Sequence, residues 1–132
     1  MKTHYTVTLA MVAGFGLGAV AVQGLHAQAK APVYYVAQID VTDPDAYGKE
    51  YAPKAQAIIK AAGGRFLAIG GAASAVKVTG FDGEAPKRAV VQVWDSMEKI
   101  QAWRANPEYI ELRKIGAKYA KFRSYSIEGL PQ

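Results

Sequence analysis

Eight tyrosines, two tryptophans and sixteen Lys and Arg side chains carry most of the chemistry open to this 132-residue chain; cysteine is absent, and the two histidines are His4 and His26. Tyr and Trp offer an apolar body with one polar tip. Arg offers a planar fork for carboxylate or phosphate. Without a thiol there is no disulfide framework, no Cys-ligated zinc or iron–sulfur centre and no thiol nucleophile. Both histidines precede residue 30, so residues 30–132 hold no imidazole for general acid–base work, a Ser-His-Asp triad or haem ligation. Asp40, Asp43, Asp45 and Asp82 do not have the spacing of a calcium loop. No phosphate loop or dinucleotide fingerprint is present. The expectation is a site with no metal and no cofactor.

These side chains need elements to hold them. Hydrophobic residues make up 51% of the chain and charged residues 20%, a balance that supports one globular core. Residues 33–41 are β-branched and aromatic, which predicts a strand. Asp43-Pro44 is a helix start, followed by Tyr47, Tyr51, Ala55, Ile58 and Ala62 as one apolar stripe, with Pro53 expected to kink or restart the helix and Gly63-Gly64 to end it. Residues 65–69 form a second strand, residues 72–87 a loop with an edge strand expected over 75–78, and residues 88–94 a third. Asp95 and Glu98 suggest a capping box, and Asn106-Pro107 a second helix start. The last helix presents Tyr109, Leu112, Gly116 and Tyr119, and residues 122–128 close the chain as a strand. The order β-α-β-β-α-β, with the second helix in two pieces, is the ferredoxin-like α+β arrangement: a four-stranded antiparallel sheet with helices on one face.

Helices are expected over the face carrying Val33, Tyr35, Ala37, Ile39 and Val41, with Ala89, Val91 and Val93. The other face would then carry Tyr34, Val36, Phe66 or Leu67, Val90 and Trp94, too apolar to leave in water. A second copy pressed sheet against sheet would cover it, making a symmetric homodimer. In that arrangement Tyr34, Gln38, Gln92, Trp94, Ser124 and Ser126 point into the space between the sheets and could bind a small organic molecule, or simply satisfy one another in a packed interface. Arg65 and Arg88 begin neighbouring strands, and Arg113 and Arg123 flank the last helix and strand. They could grip a carboxylate or phosphate at the pocket mouth, or pair with Asp40, Asp95, Glu108 or Glu128. Two further readings stand beside the binding protein. One is a cofactor-free oxygenase or isomerase with Tyr34, Trp94 and a Gln positioning the substrate and Asp40 or Glu128 as base. The other is a structural or partner-binding module.

The first thirty residues read differently. Lys2 precedes a 17-residue uncharged run from Thr6 to Val22, and Ala27-Gln28-Ala29 supplies small residues for a cleavage site. That layout predicts a secretory signal peptide over 1–29, cut after Ala29 or, second, after Ala27. The apolar run falls short of the roughly 20 residues that span a bilayer. The expected location is periplasmic or secreted, with membrane contact only before cleavage, and the domain is residues 30–132. The basic run Arg113, Lys114, Lys118, Lys121 and Arg123 is interleaved with Tyr, Gly and Ala, as on a solvated face, so no nucleic-acid partner is expected.

Several of these motifs also resemble one family. Tyr35, Asp43-Pro44 with Tyr47 and Tyr51, Gly63-Gly64-Arg65-Phe66-Leu67, Gly70-Gly71, Arg88 with Val90-Val91, Trp94-Asp95-Ser96, Asn106-Pro107-Glu108-Tyr109 and Ile127-Glu128-Gly129 are similar in order and spacing to the domain of unknown function 1330. Asn106 stands where members often carry Ser, an exchange between two good caps. The resemblance implies a dimeric α+β barrel, a fold shared with small cofactor-free oxygenases, isomerases and haem-degrading proteins, and it implies no particular activity.

Overall fold

The computed structural model describes residues 31–131; the expected signal peptide over 1–29 lies outside them. Strand β1 runs over Val33–Val41. Asp43 then caps helix α1, Pro44–Ala46, by accepting the Ala46 N–H at 3.1 Å. The chain widens into a π-helical turn over Tyr47–Tyr51, where the Ala52 N–H reaches the Tyr47 carbonyl. Helix α2 follows at Ala52–Ala62. Pro53 therefore falls in a first helical turn, where a missing N–H costs nothing. This is the restart expected at Pro53. The buried stripe falls on Ala52, Ala55 and Ile59, with Ile58 and Ala62 of the expected stripe partly buried against the core. Gly63 ends the helix with φ 110°, a left-handed cap that glycine adopts without a Cβ penalty.

Strand β2 is Arg65–Gly71, with a bulge at Leu67, and β3 is Arg88–Trp94. Residues 72–87 contain no strand; the edge strand expected over 75–78 is replaced by turns in which Ser74 accepts the Val76 N–H. Helix α3 is Met97–Ala105 and α4 is Pro107–Gly116. The cap of α3 is Ser96, which accepts the Lys99 N–H, and not Asp95. Asp95 binds Arg65 and Lys99 at 3.3 and 3.2 Å, and these hydrogen bonds, Lys99 first, hold its carboxyl below the usual range. Asn106 caps α4 through the Glu108 N–H. Helix α4 stops at Gly116, ahead of Tyr119, and strand β4, Ala120–Glu128, starts two residues before the sequence pattern suggests.

The four strands form one antiparallel sheet in the order β2-β3-β1-β4. The element order and sheet make this a ferredoxin-like α+β fold. Residues directly opposite on antiparallel strands share a face, so register decides what meets the helices. Tyr35 lies between Gln92 and Ser126, Ala37 between Val90 and Ser124, and Ile39 between Arg88 and Phe122. These rows face the helices. Their core is a stack of aromatic rings: Trp94 lies on Trp103 at 5.1 Å, and Trp103 meets Tyr35 edge-on at 5.0 Å and Tyr109 at 4.8 Å.

The same register corrects the expected faces of β3 and β4. Gln92, Trp94, Ser124 and Ser126 lie on the helix side, with Val90 and Phe66, whereas Ala89, Val91 and Val93 lie with Tyr34, Val36 and Gln38 on the open side. Helix-side polar groups are admitted because they find partners there. The Trp94 indole donates to Gln92 at 2.8 Å, Tyr35 donates to Ser124 at 2.7 Å, and the Ser126 hydroxyl contacts the Met97 sulfur.

Candidate functional site

Small side chains leave room between sheet and helices. Ala37 in β1 and Ala52 and Ala55 in α2 border a narrow cavity of about 50 Å³. The Ile39 row forms one end, where Arg88 from β3 and Arg113 from α4 flank a tyrosine–phenylalanine cluster. Arg88 sits 5.2 Å from the centre of the Tyr47 ring, Arg113 3.5 Å from that of Phe122, and Tyr51 packs against both rings. The Tyr35 row forms the other end. There Arg104 donates to the Tyr35 hydroxyl at 3.3 Å and lies beside Trp103 and Tyr109. Gly116 lets α4 close on this site: a Cβ there would stand 2.6 Å from the Tyr51 ring.

The electrostatics are one-sided. Arg88, Arg104 and Arg113 line the cavity, and among the described residues no Asp or Glu does. Arg88 is 3% exposed, and its Nη1 donates to the carbonyls of Ala72 and Ala73. Ala73 holds φ 59° to present its carbonyl, a left-handed geometry costing about 1–2 kcal/mol for a residue with a Cβ. Tyr51 and Tyr109 share a hydroxyl contact at 3.2 Å. Burial pushes the Tyr51 phenol well above its ordinary range, with Tyr109 adding to the effect. Burial raises Tyr47 as well, against the opposing pull of Arg88. Both phenols stay protonated at neutral pH. Three buried side-chain donors have no partner among the described residues: Arg88 Nε, Trp103 Nε1 and Arg113 Nε. All three belong to residues of this cavity.

Of the residues singled out from sequence, Arg88, Gln92, Arg113 and Ser124 line the cavity. Trp94 is fully buried behind Gln92, and Ser126 sits against Met97. Tyr34 and Gln38 lie on the open face, and Arg65 is an exposed partner of Asp95. The two carboxylates considered as bases are elsewhere: Asp40 pairs with Lys87 at 3.1 Å, and Glu128 is exposed at the strand end. Sequence reasoning overlooked Tyr35, Trp103, Arg104 and Tyr109, and read Tyr47 and Tyr51 only as core. The available sign was that Tyr47 and Tyr51 recur four apart, as do Tyr109 and Arg113 on the later helix, so two helices each bring a polar tip to one place.

Comparison with known proteins agrees with this geometry at the level of fold. No curated protein matches the chain in sequence. Among solved structures, SnoaB, a cofactor-independent oxygenase from Streptomyces nogalater, superposes with a TM-score of 0.56 at 11% identity, covering 77% of this chain and 96% of its own. RPA0582, a protein of unknown function from Rhodopseudomonas palustris, gives 0.53 at 16% identity over 83% of this chain and 94% of its own. A conserved protein of unknown function from Bacteroides thetaiotaomicron, described as a possible oxidoreductase, gives 0.51 at 13% identity over 75% and 98%. Residues 32–130 match the domain of unknown function DUF1330, and the chain belongs to that family.

Proposed function

We propose that this protein binds a small organic molecule in the cavity between its sheet and its helices, one site per protomer. The observation that carries the reading is an aromatic pocket with a few polar groups directed into it, the usual makeup of a small-molecule site. The space between two sheets, where the sequence pattern first pointed, supports it less well. Of the polar residues expected there, Gln92, Ser124 and Ser126 belong to the other side. A carboxylate-driven oxygenase or isomerase finds little support, because no Asp or Glu among the described residues lines the cavity to serve as base. The test is native mass spectrometry of the domain purified from its own host, with the cavity-filling variant Ala55→Leu beside it. A retained mass in the wild type that is absent from folded Ala55→Leu is the expected result. A bare chain mass, with no stabilisation by any compound of a metabolite library, would overturn the proposal.

The working unit is a homodimer joined through the open sheet faces. Tyr34, Val36, Val91, Val93, Tyr125 and Ile127 share that face, and Tyr125 and Ile127 are 41% and 55% exposed in the single chain. An apolar surface of this kind is normally covered by a partner. The protein acts outside the cytoplasm after residues 1–29 are removed, a reading supported by the basic start, the apolar run and the Ala27-Gln28-Ala29 site.

A further inference from the structure

We infer that the cavity admits the tail of a short-chain aliphatic carboxylate, whose charged group stays at the mouth and is held there by Arg104 and Ser124. Arg104 is then the residue that sets specificity. The inference rests on the sheet–helix site proposed above and names its ligand class.

Exposure identifies the mouth. Among the residues lining the cavity, Arg104 near the end of α3 and Ser124 in β4 are exposed, and Gln56, Phe66, Arg113 and Phe122 are half-buried; the rest are buried. Arg104 and Ser124 meet through Tyr35, and the hydrogen bonds run one way. Arg104 donates to the Tyr35 hydroxyl at 3.3 Å, and that hydroxyl donates to Ser124 at 2.7 Å. With its oxygen accepting from Tyr35, Ser124 keeps its own proton to give. Both exposed groups therefore present donors, and an incoming acceptor completes them.

The charge at the mouth is positive. Arg104 lies 5.7 and 5.8 Å from the centres of the Trp103 and Tyr109 rings, contacts that orient a guanidinium without neutralising it. Arg113 stands over Phe122, which lies on the same side of β4 as Ser124, two residues or about 7 Å away. No carboxylate pairs with Arg104 or Arg113 among the described residues. Glu108, four residues after Arg104, faces the other way, into a groove lined by Lys54 and Ile58 of α2. An exposed guanidinium fork with a hydroxyl close by suits a carboxylate. Behind the mouth the walls turn apolar, with Ala37, Ala55, Ile59 and Val90 among them. A space of about 50 Å³, at about 10–15 Å³ for one water, holds a tail of only a few carbons.

Butyrate is the probe, followed at constant ionic strength by the indole signals of the two tryptophans in the ¹H–¹⁵N spectrum. It should shift the Trp103 signal saturably. Butyramide, its neutral isostere, should bind roughly tenfold more weakly, for want of charge-assisted hydrogen bonds. Acetate, two methylenes shorter, should be weaker by roughly tenfold as well. Arg104→Gln, at an exposed position, should lower butyrate to the level of butyramide, and Ala55→Leu should lower it to that of acetate. Equal binding of butyrate and butyramide, or butyrate binding unchanged in Arg104→Gln, would overturn recognition of the carboxylate while leaving the sheet–helix site standing. Equal binding of acetate and butyrate would overturn the inserted tail. No binding of butyrate would overturn the whole inference. A host ligand retained by the wild type and lost from Ala55→Leu would then still uphold the sheet–helix site, and its absence would remove both.

Discussion

Arg88 is the residue on which the chemistry of the site turns. A guanidinium taken out of water without a carboxylate partner is a net cost to folding, because desolvation is not offset by an opposite charge. Two carbonyl contacts, one of them from the strained Ala73, hold it in place. A purely structural arginine would lose stability on replacement. Arg88→Met is instead expected to stabilise the empty protein by about 1 kcal/mol while removing ligand binding, a trade-off common at functional sites; urea unfolding and native mass spectrometry read the two effects separately. The buried phenols bring a pH dependence of their own. Tyr47 and Tyr51 have raised values in the folded chain, so unfolded tyrosines release their protons first as pH climbs past about 10. Their contribution to stability is therefore complete below pH 10 and declines above it. For Tyr51 the slope approaches about 1.4 kcal/mol per pH unit as pH rises above 10. Tyr51→Phe should flatten the fall of the urea midpoint between pH 10 and 11.5, and an unchanged slope would count against a buried, protonated Tyr51.

At the level of elements, helix α4 is seated by a single close approach. Gly116 lies under the Tyr51 ring, and a methyl group there would have to displace the ring or the helix. Gly116→Ala is expected to destabilise by about 1–3 kcal/mol through overpacking, despite alanine's better helix propensity, as circular dichroism melting would show. The elements themselves were legible in the sequence because their signals are local. Asp43-Pro44 and Asn106-Pro107 mark helix starts by chain geometry alone, and β3 falls at Arg88–Trp94 as its β-branched run implies. Which side of β3 meets the helices is a different kind of fact. Both alternating sets, 89-91-93 and 90-92-94, carry apolar residues, so periodicity could not decide between them. The pairing of Tyr35 with Gln92 decides it, and that contact joins residues 57 apart in sequence. A one-residue change of register would have turned every side chain over. The candidate site moved for that reason: Gln92 and Ser124 were noticed as polar residues in strands, but their side of the sheet was set by distant partners. Tyr35, Tyr51 and Tyr109 escaped notice because a tyrosine at core spacing looks the same in sequence whether its hydroxyl is idle or directed into a cavity.

For the whole molecule, the open sheet face and the ligand cavity lie on opposite sides of one sheet. That separation makes assembly and binding distinguishable. The wild type should sediment as a dimer and Tyr125→Glu with Ile127→Lys as monomers by sedimentation velocity, and each monomer should still bind ligand, though at reduced stability. The exported protein should begin at Lys30 by mass spectrometry, and an intact Met1 in the mature species would contradict removal of residues 1–29. Salt bridges such as Arg65–Asp95 and Lys114–Glu111 lie exposed at the surface, where solvent screening leaves them little part in either property. The most direct measurement is a crystal structure of residues 30–132 purified from the native host. Density for a bound molecule among Arg88, Arg113, Tyr51 and Trp103 is the expected result. Density lying between the two sheets, with the sheet–helix cavity holding only water, would contradict a ligand site within each protomer.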